Sequence, residues 1–123
     1  MKPTDSELEI LQVLWQSGPC TVRQVHEQLA ENKDVGYTTT LKFMQNMQEK
    51  GLLSRTEEAR SLVYTAQADE QETQASLLDR FVENAFRGSA SKLVLQALGN
   101  HRASAAELQQ IRELLNQIEQ QQL

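Results

Sequence analysis

Along the first half of the chain, apolar residues recur at intervals of three and four. Leu8, Leu11, Leu14 and Trp15 form one such stripe, and Thr4 with Glu7 has capping-box spacing, so a helix is predicted from about Asp5 to Ser17. Gly18-Pro19 ends it, because proline disfavours a helical conformation in the residue before it. Thr21 with Gln24 repeats the capping signal, and Val22, Val25 and Leu29 predict a short amphipathic helix over about Val22 to Glu31. The polar stretch from Asn32 to Gly36 reads as a turn. Beyond it Leu41 and Met44, with Tyr37 before them and Met47 after, mark the buried stripe of a third helix that Gly51 ends.

The pattern then changes. Leu52 to Thr56 and Leu62 to Thr65 have strand-like composition, and the segment from Glu57 to Ser61 is polar or small, which predicts a β-hairpin. A Gln- and Glu-rich segment, Gln67 to Gln74, leads into a fourth helix with Leu78, Phe81, Val82 and Ala85 at helical spacing, closed by Gly88. Ser89 can cap a fifth helix holding Leu93, Val94 and Leu98 and ending at Gly99-Asn100, and Ser104 with Glu107 caps a sixth. In the sixth, Leu108, Ile111, Leu115 and Ile118 make a short a/d seam, too brief for an independent coiled coil.

The expected fold is therefore mainly α with a small β-hairpin: a winged helix-turn-helix over residues 1–66, then a three-helix dimerisation element over residues 67–123. The last three helices have strong apolar faces that bury poorly on their own. Leu78, Phe81, Val82, Leu108, Ile111, Leu115 and Ile118 are the residues expected to meet a second copy.

Composition narrows the function. Hydrophobic residues make up 39% of the 123, enough for a core, but the net charge of -5 excludes a generic nucleic-acid coat, whose affinity comes from Lys and Arg displacing counterions. Splitting the chain after Ala66 gives seven basic against nine acidic residues before it and five against eight after it, so any DNA-binding surface has to be a local patch. Cys20, the one cysteine, cannot form an intrachain disulfide, and Met1 to Leu14 contains neither a signal peptide nor a membrane span, so a cytoplasmic protein without membrane insertion is expected. No phosphate-binding glycine loop, nucleophile elbow, His-Glu-x-x-His motif or carboxylate pair is present, and His26 and His101 lie outside metal-ligand spacing. Neither an enzyme nor a cofactor is expected. Trp15, Met44 and Met47 are read as core.

If Leu41 and Met44 face the core, Thr38, Thr39, Lys42, Gln45, Asn46 and Glu49 lie on or near the opposite face of the third helix. Lys suits guanine edges, Asn and Gln suit adenine, and a Thr methyl suits the thymine methyl, although the same residues also fit an ordinary solvated face. Arg55 and Arg60 are expected on either side of the wing, where they would hold phosphates flanking that helix, with Glu57 and Glu58 opposing them. The acidic balance keeps open an alternative, a winged-helix module that binds protein and not DNA.

Glu7-Leu8-Glu9-Ile10-Leu11, Leu14-Trp15, Thr21-Val22, Val25, Tyr37-Thr38-Thr39, Lys50-Gly51-Leu52-Leu53 and Val63-Tyr64 together resemble the BlaI/MecI/CopY family of penicillinase and copper-response repressors, closely over residues 4–66 and more loosely beyond. The resemblance implies a sequence-specific transcriptional repressor, a homodimer on an inverted-repeat operator in double-stranded DNA, with its C-terminal helices swapped or packed between subunits. It places Thr38, Thr39 and Lys42 in the major groove and Arg60 on the backbone. The chain departs from the family in having Asn46 where members often carry Arg, and Ala59-Arg60 where the wing usually reads Gly-Arg. Because left-handed Ala costs ~1 kcal/mol or more, a turn of different shape is expected. In antibiotic-responsive members a membrane sensor metalloprotease triggers cleavage at an Asn-Phe bond in the fifth helix, which aligns with Gln96-Ala97 here. The paired Cys-x-Cys motifs of copper-responsive members are missing from this tail, which excludes copper sensing by that route.

Overall fold

Local capping sets the start of the chain. Thr4 Oγ1 accepts from the Glu7 N–H at 3.2 Å and the Glu7 carboxylate accepts from the Thr4 N–H at 2.9 Å, which opens α1, Asp5–Ser17. Thr21 and Gln24 form the same reciprocal pair at 3.2 and 2.9 Å and open α2, Val22–Ala30. In this computed structural model residues 2–122 are described; Met1 and Leu123, the outermost residues of the two expected domains, lie outside the described residues.

α3 spans Tyr37–Glu49 and stops at a Schellman motif. Gly51 takes φ 85°, its N–H reaches the Gln48 carbonyl at 3.1 Å, and the Leu52 N–H reaches the Met47 carbonyl at 2.9 Å. The chain then enters β2, Leu53–Glu58, and returns in β3, Ser61–Ala66, in antiparallel register from Leu53↔Ala66 to Glu58↔Ser61.

The sheet has a third strand that the pattern of the sequence did not reveal. Cys20 and Thr21 form β1 and pair antiparallel with Tyr64 and Val63, giving the order β1-β3-β2. Tyr64, opposite both Cys20 and Arg55, is fully buried. The wing differs too: its strands run further than expected and the connection is only Ala59-Arg60, at φ 46° and 67°. Positive φ at both central residues is the signature of a type I′ turn, whose twist matches the strands it joins. The left-handed backbone is thus kept without glycine, against the expectation of another shape, because the register of the two strands leaves two residues to close the hairpin.

Ile10, Leu11, Leu14, Val25, Met44, Met47, Leu53 and Tyr64 make the centre of the core, with Cys20, Val22 and Leu52 at its margin. The buried stripe of α3 is Thr40, Met44 and Met47, flanked by half-buried Leu41 and Phe43. Tyr37 is not on it and stays 40% exposed. The positions at i, i+4 and i+7 from Thr40 point inward together, and the Thr40 hydroxyl is tolerated there because it donates to the Gly36 carbonyl at 3.4 Å.

Contacts group the chain into two units, Met1–Leu78 and Asp79–Leu123. The three C-terminal helices are α4, Glu70–Phe86, α5, Ala90–Asn100, and α6, Ala105–Gln121. Asp69 accepts from the Glu72 N–H at the start of α4, so that helix takes in part of the Gln- and Glu-rich segment, and α5 continues through Gly99. Ser104 and Glu107 form a third capping box. No described residue of these three helices is buried.

Candidate nucleic-acid interface

α2 and α3 are joined by the short turn over residues 31–36, and the core residues of α3 decide which way its other side faces. With Thr40, Met44 and Met47 turned inward, Thr38, Thr39, Lys42, Gln45, Asn46 and Glu49 are all exposed. Thr39, Lys42, Phe43 and Asn46 line one shallow pocket, with the half-buried Phe43 ring as its apolar part. Three of the predicted contact residues, Thr39, Lys42 and Asn46, therefore share the outward face of α3 with an aromatic surface that the sequence reading left out.

Arg55 and Arg60 are exposed on the hairpin, but they do not bracket its tip symmetrically. Arg60 is in the turn itself. Arg55 lies mid-strand opposite Tyr64, and its Nη1 makes a long contact of 3.5 Å to the Tyr64 hydroxyl.

Two ion pairs tie up four of the charges of this unit. Lys33 pairs with Glu9 at 3.2 Å, and Lys50 with Glu7 at 2.7 Å. Among the described residues Arg23, Lys42, Arg55 and Arg60 have no carboxylate partner, so these cations on α2, α3 and the hairpin remain unneutralised. Glu7 is buried, which on its own would raise its pKa. Hydrogen bonds from Lys50 and the Thr4 backbone, with the Lys50 charge, outweigh this and hold its carboxyl below the usual range. The pair ties the first turn of α1 to the end of α3, and so fixes the helix that presents the polar face.

Sequence reasoning missed Arg23. It is the second residue of α2, and its guanidinium lies over the Tyr37 ring, 5.4 Å from the centroid. His26 meets the same ring edge-on at 5.7 Å and 84°. The only available signal was a cation near the start of one helix and an aromatic opening the next; their meeting depends on how α2 packs against α3. Cys20 is buried, which raises its thiol pKa, and its Sγ lies 3.3 Å from the Gly18 carbonyl, as a structural residue would. No helix of the described residues is long and apolar enough to cross a membrane.

Of the remaining predicted positions, Leu78, Phe81, Leu108, Leu115 and Ile118 are exposed, and Val82 and Ile111 are half-buried. Gln96 and Ala97 are exposed on α5.

Comparison with known proteins places this geometry. Residues 3–117 match the penicillinase repressor family. The chain is 29% identical over 117 residues to the transcriptional regulator BlaI of Mycobacterium tuberculosis, covering 94% of this chain and 83% of the relative. It is 25% identical over 114 residues to the penicillinase repressor of Bacillus licheniformis, covering 93% and 89%. The solution structure of the Bacillus licheniformis BlaI monomeric form in complex with the blaP half-operator superposes with a TM-score of 0.52 at 26% identity, over 58% of this chain and 88% of that one. A winged-helix unit with this core, and a family match running over nearly the whole sequence, establish that the chain belongs to the penicillinase repressor family.

Proposed function

We propose that the protein is a sequence-specific transcriptional repressor, and not an enzyme, that occupies an inverted-repeat operator as a homodimer in the cytoplasm. The observation that carries the reading is the outward face of α3. Thr38, Thr39, Lys42, Gln45 and Asn46 are exposed together on a helix whose other side is locked into the core. A helix so held can enter the major groove without reorganising, and its side chains match the donor and acceptor patterns of base edges. Arg60 and Arg55 add backbone contacts from the wing. The similar BlaI structure, a monomeric form in complex with a half-operator, supports DNA binding as the function.

Dimerisation is assigned to residues 67–123. Phe81 is 55% exposed and Leu115 52%, and with Leu78, Val82, Leu108, Ile111 and Ile118 they recur at helical spacing on α4 and α6, apolar positions that a partner would cover. A second copy is the occupant that two-fold operator symmetry calls for. Cleavage at Gln96-Ala97 by a membrane sensor metalloprotease would detach α6 and its a/d seam, lowering the operator affinity to that of separate half-sites.

The test is a binding titration on the DNA upstream of the protein's own gene at several salt concentrations. A repressor shows sequence preference and a steep fall of affinity with salt. Equal, negligible binding to all duplexes would instead favour a protein-binding module.

A further inference from the structure

We propose, building on the DNA-binding reading above, that Arg23 is a phosphate-binding residue of the interface and that Tyr37 is the platform that positions it. Tyr37 is the first residue of α3 and 40% exposed, yet its ring is held on two sides, by the Arg23 guanidinium and by the edge of His26. The buried His26 Nδ1 has no hydrogen-bond partner among the described residues, so packing against its neighbours, the Tyr37 ring among them, fixes this imidazole.

A guanidinium drawn to an aromatic ring, here 5.4 Å from its centroid, spends no N–H group on a carboxylate, and its planar fork fits a phosphate. No carboxylate among the described residues pairs with Arg23. Its neighbours are those of a cleft: Thr21 of β1, Tyr37 and Leu41 of α3, and Ser61 and Leu62 of β3 line one pocket with it. That pocket lies where the start of α2, the start of α3 and the strand leaving the wing turn converge. When α3 occupies a major groove, the sugar-phosphate backbone at the rim of the groove runs along such a flank. The cation–π contact also limits the rotamer freedom that a lone surface arginine loses on binding.

The experiment uses the full chain and a duplex carrying the inverted repeat that the wild-type protein selects from random sequence. Arg23→Gln is expected to lower affinity roughly tenfold on selected and scrambled duplexes alike. It should also reduce the slope of log affinity against log salt by about one, with an unchanged circular dichroism spectrum. Tyr37→Phe keeps the platform and matches wild type. Tyr37→Leu removes it, lowers the salt slope as Arg23→Gln does, and adding Arg23→Gln to it changes little more. An unchanged salt slope in Arg23→Gln, or full affinity in Tyr37→Leu, overturns this proposal alone. A wild-type protein that selects no duplex overturns the DNA-binding reading beneath it.

Discussion

Replacing Lys50 by Met strands the Glu7 carboxylate. Its side chain is 3% exposed and Lys50 Nζ lies 2.7 Å away, with the Thr4 N–H as the other donor to the carboxylate. Removing one partner of a fully buried ion pair costs ~3–5 kcal/mol. Lys50 is 38% exposed, so solvent already screens the pair, and the expected loss is about 2 kcal/mol. Glu7→Gln keeps a capping-box side chain and removes the charge, leaving Lys50 free to hydrate, so it should lose only about 1 kcal/mol. In the Glu7→Gln background Lys50→Met then costs little, because no charge is stranded. The pH dependence follows from linkage. The folded pKa of Glu7 is lowered, so the stabilisation is complete above the unfolded glutamate value of about 4.3 and is lost as the pH falls through the folded value. Urea denaturation followed by Trp15 fluorescence, from neutral pH down to acid, measures all of this. A Lys50→Met protein as stable as wild type at neutral pH, or a deficit that stays constant into acid, would refute the reasoning.

Three further outcomes are expected. Lys42→Ala should weaken binding to the selected operator by roughly tenfold or more while leaving the denaturation midpoint in place, measured by anisotropy and urea titration; loss of folding would contradict the outward placement of Lys42. Leu115→Asp should convert the dimer to monomer in sedimentation equilibrium with α-helix content retained. Ala59→Gly should stabilise by about 0.5 kcal/mol, the relief of a left-handed alanine less the extra flexibility of glycine in the unfolded chain. A β-branched Ala59→Val should destabilise, and thermal denaturation of the pair tests the turn at φ 46°.

What could be read from the sequence was local or periodic. The boundaries of α1 and the caps at Thr4, Thr21 and Ser104 each depend on residues three apart, so they are visible without the fold. The outward face of α3 was legible for a related reason: a helical period that buries Met44 and Met47 exposes Lys42, Gln45 and Asn46. Thr40 was not, since a buried threonine needs the Gly36 carbonyl beside it to make sense. β1 is two residues long, and its pairing with Val63 and Tyr64 comes from a distant part of the chain. The wing turn lacked the Asn-Gly or Gly signal that normally marks a two-residue hairpin, and Arg23 over Tyr37 exists only once α2 and α3 have packed.

Binding stoichiometry on designed duplexes tests the central claim most directly. Full-length protein is titrated against a duplex bearing the selected inverted repeat, one bearing a single half-site, and one with the repeat scrambled, at matched salt. The account predicts two chains on the full repeat with much tighter binding than on the half-site, and the weakest, sequence-independent binding on the scrambled duplex. The same affinity for all three duplexes would contradict it.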